Sequence, residues 1–288
     1  MYKWIIAIRL KTLPAAISPV LLGSSLSYKY GYFSSLIFFM TLFAAILIQI
    51  GTNFANDVYD FEKGTDRYDR LGPIRATQAG LISPKKMKVS MLGTFSIAIL
   101  VGCYLAWIGG LPIVFIGIAS IIAGIAYTGG PYPLGYNGFG ELFVFLFFGI
   151  IAVPGTYFLQ AGTFTYLSIW LGSCMGMLSA AILVVNNIRD IDTDKVTGKK
   201  TLAVYFGILF SYIEFIVLII CPYLILLYLI INKDLASSIF IVFLSLPIGL
   251  KLIFELITNT GIKLNTVLSS TAKLLFIFSL LCSIGLVI

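Results

Sequence analysis

The chain has 288 residues, 59% of them hydrophobic and only 11% charged, with a formal net charge of +7. Soluble domains carry roughly 25% charged residues, so this composition excludes a soluble globular protein and predicts a polytopic membrane protein, one integral domain over residues 1–288. The four cysteines stand singly in apolar runs and there is no histidine, which excludes a thiolate or imidazole metal site.

A spanning helix needs about 20 apolar residues. Hydropathy predicts nine such spans, at 12–31, 36–57, 88–108, 111–128, 138–160, 164–187, 202–231, 235–257 and 268–288. The first is interrupted by Pro14 and Pro19, and Arg9 and Lys11 interrupt the N-terminal region, so no cleavable signal peptide is expected there. With the N-terminus in the cytoplasm, every Lys and Arg except Lys29 and Lys233 falls in an inside loop or flank, the distribution the positive-inside rule requires. The positive charge is therefore spread over loops facing anionic lipid, and no basic helix or aromatic-interleaved patch points to nucleic acid.

The acids are concentrated. Five lie between Asp57 and Asp69, and three more are Asp190, Asp192 and Asp194. Each cluster directly follows an apolar run, the second and the sixth, four spans apart. This echo predicts two pseudo-repeated four-helix halves plus a ninth helix around a central cavity, with the site between the halves. Carboxylates at a membrane edge are costly and usually hold something. Asn53 and Asp57, Asn56 and Asp60, and Asp190 and Asp194 are each four apart, so each pair shares a helix face and offers two oxygens to one cation. Mg²⁺ takes a few carboxylates plus phosphate oxygens and water, and two such faces across a cavity suit a Mg²⁺-bound diphosphate. Asp192, two positions from both neighbours, faces away.

Between the second and third spans, residues 58–88 carry Gly64-Thr65-Asp66-Arg67 and Arg70-Leu71-Gly72-Pro73-Ile74-Arg75. This reads as a cap whose guanidiniums, Arg67 and Arg75 among them, grip phosphate oxygens. Arg189 and Lys199 flank the second acidic cluster as further phosphate candidates, with Asn53 and Asn187 as polar partners of the substrate. Gly198-Lys199-Lys200-Thr201 lacks the upstream glycine and strand of a P-loop. The segment from Tyr127 to Glu141 carries no Lys or Arg and is rich in Gly, and Tyr127 and Tyr132 offer faces to an aromatic substrate or to a carbocation. Phe143, Phe145, Phe147, Phe148, Pro154, Tyr157 and Phe158 are candidates to line a lipid-chain tunnel.

These motifs resemble the UbiA superfamily of intramembrane prenyltransferases, and in detail its menaquinone-pathway branch. The resemblance rests on Trp4, Arg9-x-x-Thr12-Leu13-Pro14, Asn56-Asp57-x-x-Asp60, Gly64-Thr65-Asp66-Arg67, Gly72-Pro73-x-Arg75, Tyr127-Thr128-Gly129-Gly130-Pro131 and Asn186-Asn187-x-Arg189-Asp190-x-Asp192-x-Asp194, running on to Gly198-Lys199 and Thr201. It spans about residues 4–207. Two departures stand out: Gly64 occupies the place where the first motif often has another Asp, and Pro131 replaces the Lys that follows the tyrosine in the ubiquinone branch.

The resemblance implies an all-α bundle with a cytoplasm-facing cavity open sideways to lipid, in a multi-pass cell-membrane protein. It implies Asn56, Asp60, Asp190 and Asp194 as Mg²⁺ ligands, and Arg75 and Lys199 on the diphosphate. The implied reaction moves a polyprenyl chain from its diphosphate to 1,4-dihydroxy-2-naphthoate with loss of CO₂, giving demethylmenaquinone. Homogentisate or 4-hydroxybenzoate is the alternative acceptor. The rival class, a cation-coupled transporter, calls for acids at mid-span, whereas these lie at span ends. Prenyl chain length and oligomeric state are not encoded in any motif.

Overall fold

The computed structural model describes residues 2–66 and 70–288; Arg67, expected on phosphate, lies outside the described residues. The described chain is helical, with no strand among those residues. In order it runs α1 (Tyr2–Ile8), α2 (Leu13–Lys29), α3 (Ser35–Glu62), α4 (Pro84–Gly109), α5 (Leu111–Ala126), α6 (Gly140–Phe145), α7 (Ala152–Ala161), α8 (Tyr166–Arg189), α9 (Ile191–Thr197), α10 (Leu202–Ile231), α11 (Leu246–Thr258) and α12 (Leu264–Val287). A π-helical turn, Leu146–Ile151, joins α6 to α7, and a 3₁₀ stretch, Ser237–Ser245, leads into α11.

Among the described residues eight stretches are long and apolar enough to cross a membrane, and α5, at 16 residues, is a shorter apolar rod. Helices are the expected solution, because lipid offers no partners to backbone polar groups. Proline begins several of them: Pro14, Pro84, Pro112 and Pro247 all lie in the first two helical positions, where the missing N–H costs nothing. The first expected span, 12–31, is α2 (Leu13–Lys29); ahead of it α1 runs from Tyr2 to Ile8 and the chain breaks at Arg9, which adopts φ 55° and ψ 65°, followed by the turn Leu10–Thr12. Thr12 closes that break by donating through both its N–H and its hydroxyl to the Arg9 carbonyl.

Helix α8 is the central post: 67% of its most apolar stretch is enclosed, against 17% for α3. Leu171, Met175, Leu178 and Val185 of α8 form a core with Leu22 and Leu26 of α2, Phe215 and Ile219 of α10, and Leu274 and Phe278 of α12. Lipid tails are as apolar as these side chains, so close backbone approach matters more here than burial alone. The closest seam is built on glycine: a Cβ on Gly149 would lie 2.4 Å from the Gly172 carbonyl, and one on Gly176 would lie 2.5 Å from the Phe145 carbonyl. A second core, Phe54, Val58, Met87 and Met91, receives Ala76 and Ile82 from the α3–α4 connection. That connection is thus fastened down over one end of the bundle.

Candidate active site

Three connections meet at that end: 63–83 after α3, 127–139 after α5, and the α9 region from Asp190 to Thr201. The backbone ties the last two directly, because the Lys200 N–H donates to the Tyr136 carbonyl at 2.8 Å. Both acidic clusters therefore face the same space.

Asp60, in the last turn of α3, is the hub. It is 2% exposed, a placement a carboxylate tolerates only with partners. The Tyr136 hydroxyl donates to its Oδ1 at 2.6 Å and Arg75 Nη2 to its Oδ2 at 3.3 Å, while Lys199 Nζ stands 3.9 Å from Oδ1. The same Lys199 ammonium is 4.0 Å from Asp194 Oδ1 and lies over the Tyr136 ring, 4.6 Å from its centroid. Gly198 closes α9 at φ 76°, in the left-handed region that glycine enters freely, and so turns Lys199 into the gap. Burial drives the Asp194 carboxyl up to about 6. Asp66 is pushed up to about 7 by burial, against the pull of Arg70, which donates to its Oδ1 at 2.6 Å. The Tyr136 phenol is held well above its ordinary value by burial and by Asp60.

Several atoms here are poised but unmatched. Among the described residues Asp66 Oδ2, Arg75 Nε and Arg75 Nη1 are buried with no hydrogen-bond partner, although Nε and Asp66 Oδ2 form an ion pair at 3.4 Å. Asn56, one turn before Asp60 on the same face, accepts from the Thr128 hydroxyl at 2.9 Å. Among the described residues no three Asp, Glu or Cys side chains form a ready-made metal cage. Mg²⁺ does not require one, since it keeps water and phosphate oxygens around one or two carboxylates. The hard-oxygen set of Asn56, Asp60 and Asp194, with unmatched donors beside it, fits a dication that arrives with a diphosphate.

Several residues that the sequence placed on metal or substrate have partners within the protein. Asn53 donates to the Ile8 carbonyl (2.8 Å) and the Thr12 hydroxyl (2.9 Å), and so pins the break between α1 and α2. Asp57 accepts the N–H groups of Ala76 (3.0 Å) and Thr77 (2.8 Å). Adjacent helical residues point about 100° apart, which turns Asp57 away from Asn56. Arg189 is buried, and four of its five N–H groups are spent inside the protein, on Asp190 through Nε and Nη2, on Asn186 and on Asn265. Asp190, between α8 and α9, is therefore gripped through both oxygens and reaches the gap only in competition with Arg189. Asn187 donates to Glu141 at 2.6 Å inside the bundle, and Tyr132 is 59% exposed beside Phe139. Asp192 is exposed, as its spacing predicted.

The sequence reading passed over three participants. Tyr136 belongs to the Gly-Tyr segment but carried no spacing signal; Asp66 sat in the quoted cap motif; Asn265 showed nothing at all. Asn265 holds the cap to α12, donating to the Leu71 carbonyl at 2.8 Å while accepting from Arg189. Gly72 permits that approach, because a Cβ there would meet Arg189 Nη2 and Arg70 Nε at 2.9 Å.

Toward the bundle interior, the site adjoins an apolar cavity of about 150 Å³. Ala15, Ala16, Ala45, Tyr127, Phe143 and Phe147 contribute to its lining. Phe143 and Phe147 stack with centroids 6.0 Å apart. Phe148 also lines it, whereas Tyr157 is buried in the α8 core and Phe158 stacks on Phe164. A charged pocket at the rim of a lipid-embedded bundle, with an oily cavity behind it, defines an enzyme acting on an amphiphile with an anionic head.

This is the architecture of the intramembrane aromatic prenyltransferases. The chain belongs to the UbiA prenyltransferase family, whose model matches residues 16–286. It is 33% identical to the 1,4-dihydroxy-2-naphthoate octaprenyltransferase of Haemophilus influenzae, over 99% of this chain and 96% of that protein. It is 38% identical to the Escherichia coli protein of the same name, over 71% of this chain and 68% of that one. Its fold is shared with a UbiA homolog from Archaeoglobus fulgidus bound to GPP and Mg²⁺, with a TM-score of 0.68 and 17% identity over 99% of each chain.

Proposed function

We propose that this protein transfers a polyprenyl chain from polyprenyl diphosphate to 1,4-dihydroxy-2-naphthoate, with loss of CO₂, at a site on the cytoplasmic face of the cell membrane. The observation that carries this is Asp60 and Asp194 converging on one cation beside the mouth of an apolar cavity. The names of the relatives supply the acceptor, and the positive-inside distribution supplies the orientation.

Asn56, Asp60 and Asp194, with Asp190 in competition with Arg189, would hold Mg²⁺. When bound, the ion neutralises diphosphate oxygens and makes diphosphate a better leaving group. Arg75 and Lys199 supply further positive charge to that group, Arg75 through Nη1, which has no hydrogen-bond partner among the described residues. The chain lies in the apolar cavity, and Tyr127 presents its ring face to the allylic carbon. The allylic C–O bond breaks, with both electrons leaving on the diphosphate. The ring carbon bearing the carboxylate then forms the new C–C bond, and loss of CO₂ returns an electron pair to the ring. The product is demethylmenaquinol, the reduced form of demethylmenaquinone. Because CO₂ is the group lost, no strong base is needed. The walls exclude water that would otherwise capture the cation.

The test gives purified protein 1,4-dihydroxy-2-naphthoate and a polyprenyl diphosphate, with Mg²⁺ or EDTA, and reads the lipid product by mass spectrometry. The reading expects a Mg²⁺-dependent product whose mass shows loss of CO₂. Product only with homogentisate or 4-hydroxybenzoate would discard the acceptor and keep the site.

A further inference from the structure

We propose that Asp57 is a positioning residue for substrate diphosphate, acting through the turn that carries Arg75 rather than through metal. This rests on the reading above that Arg75 binds the diphosphate.

Asp57 is 1% exposed, and both its oxygens are committed to the cap: Oδ2 to the Ala76 N–H and Oδ1 to the Thr77 N–H. Those two amides open a compact turn closed by Ala79 N–H to Arg75 carbonyl, Gly80 N–H to Thr77 carbonyl and Leu81 N–H to Ala76 carbonyl. Their donors point back out of the turn and would be orphaned without an acceptor. A carboxylate satisfies both and adds charge-assisted strength. Arg75 is the residue immediately before this anchored pair. Its side chain leaves the backbone at the anchor and ends at Asp60, 3.3 Å away, with Nη1 still unmatched.

The anchor has further support. Ala76 is fully buried against Phe54 and Val58, and Arg9 Nη2 stands 4.0 Å from Asp57 Oδ2, balancing its charge. Asp57 and Asp60 are one turn apart on α3, so a single helix end fixes the metal carboxylate and the root of the arginine that touches it. The guanidinium has several rotatable bonds, and the tether removes the backbone part of that freedom.

The experiment compares wild type, Asp57→Asn, Arg75→Ala and the double variant as purified full-length proteins. Asn keeps volume but offers one acceptor, and turns an amide donor toward a second N–H. Hydrogen exchange of the 76–80 amides is read without substrate, and KM for polyprenyl diphosphate is read at saturating acceptor. In wild type those amides are protected, and in Asp57→Asn exchange there rises. KM rises about tenfold or more in Asp57→Asn, the usual scale for losing an outer-shell partner, with kcat changed far less. The double variant is no worse in KM than Arg75→Ala. Unprotected amides in wild type, an unchanged KM in Asp57→Asn, or KM losses that multiply in the double variant each overturn the proposal; the first needs no variant to fold. An unchanged KM in Arg75→Ala instead sinks the Arg75 assignment, and positioning through it falls as well.

Discussion

Lys199 Nζ stands 3.9 Å from Asp60 Oδ1, joining the loop after α9 to the last turn of α3. With Asp194 at 4.0 Å on its other side, the ammonium lies where a dication would be drawn. Removing it should have opposite effects on two ligands. Lys199→Met is expected to tighten Mn²⁺ binding in the absence of substrate and to weaken binding of the metal–diphosphate complex. Metal titration followed by electron paramagnetic resonance reads the first, and KM for polyprenyl diphosphate reads the second.

Asp60→Asn and Asp194→Asn remove charge from the two faces. Several kcal/mol of charge stabilisation are at stake, at about tenfold in rate per 1.4 kcal/mol. Transfer should fall by at least ~100-fold in each, while Asp192→Asn, altering an exposed carboxylate, should match wild type. Product formation by mass spectrometry decides it.

Tyr136→Phe deletes only the hydroxyl that donates to Asp60 at 2.6 Å and bridges to Thr65 at 2.7 Å. Losing such a support typically costs 10–100-fold. Activity should drop on that scale, with a stability loss of about 1–3 kcal/mol for the donor removed from a buried carboxylate, as measured by activity and unfolding of the purified protein.

Two carboxyls set a pH dependence. Asp194 titrates at about 6 and Asp66 at about 7, both raised by burial. A raised pKa means that the folded protein holds protons the unfolded chain has already lost. Stability without metal therefore declines as pH rises from about 4 to 7. Metal at Asp194 must displace the proton there, so its affinity climbs through about pH 6 and flattens above it. Thermal unfolding with and without Mg²⁺ from pH 5 to 8 should show the gap widening with pH.

Arg189→Gln leaves Asp190 and Asn265 without their shared partner. Breaking a buried pair from one side costs about 3–5 kcal/mol, so the variant should lose stability and loosen the cap through Leu71. If it unfolds like wild type and only its KM for diphosphate changes, Arg189 is a phosphate ligand after all.

The apolar rods were legible because hydropathy has few competing explanations over 20 residues. The break at Arg9 was not, since it depends on Asn53 reaching Ile8 and Thr12 from a distant helix. Within the first cluster, helical spacing identified Asn56 and Asp60 but made Asn53 and Asp57 look equivalent. One residue of rotation sends Asp57 to backbone amides, and nothing in a single sequence says which face the cap covers. Tyr132 and Tyr136 are similarly indistinguishable as letters. The 3₁₀ turn at Leu134–Tyr136 and the Lys200–Tyr136 backbone bond place one in the gap and leave the other at the surface.

The glycine seam between the α6–α7 turn and α8 leaves no room for even one added methyl group, so that side of the oily cavity is fixed by backbone against backbone. The opposite side is lined by Ala15, Ala16 and Ala45, whose methyl groups border the cavity. Retuning which chain lengths the enzyme accepts is therefore a task for α2 and α3. An engineer who substitutes those alanines alters capacity, whereas one who substitutes Gly149, Gly172 or Gly176 forces the helices of that wall apart.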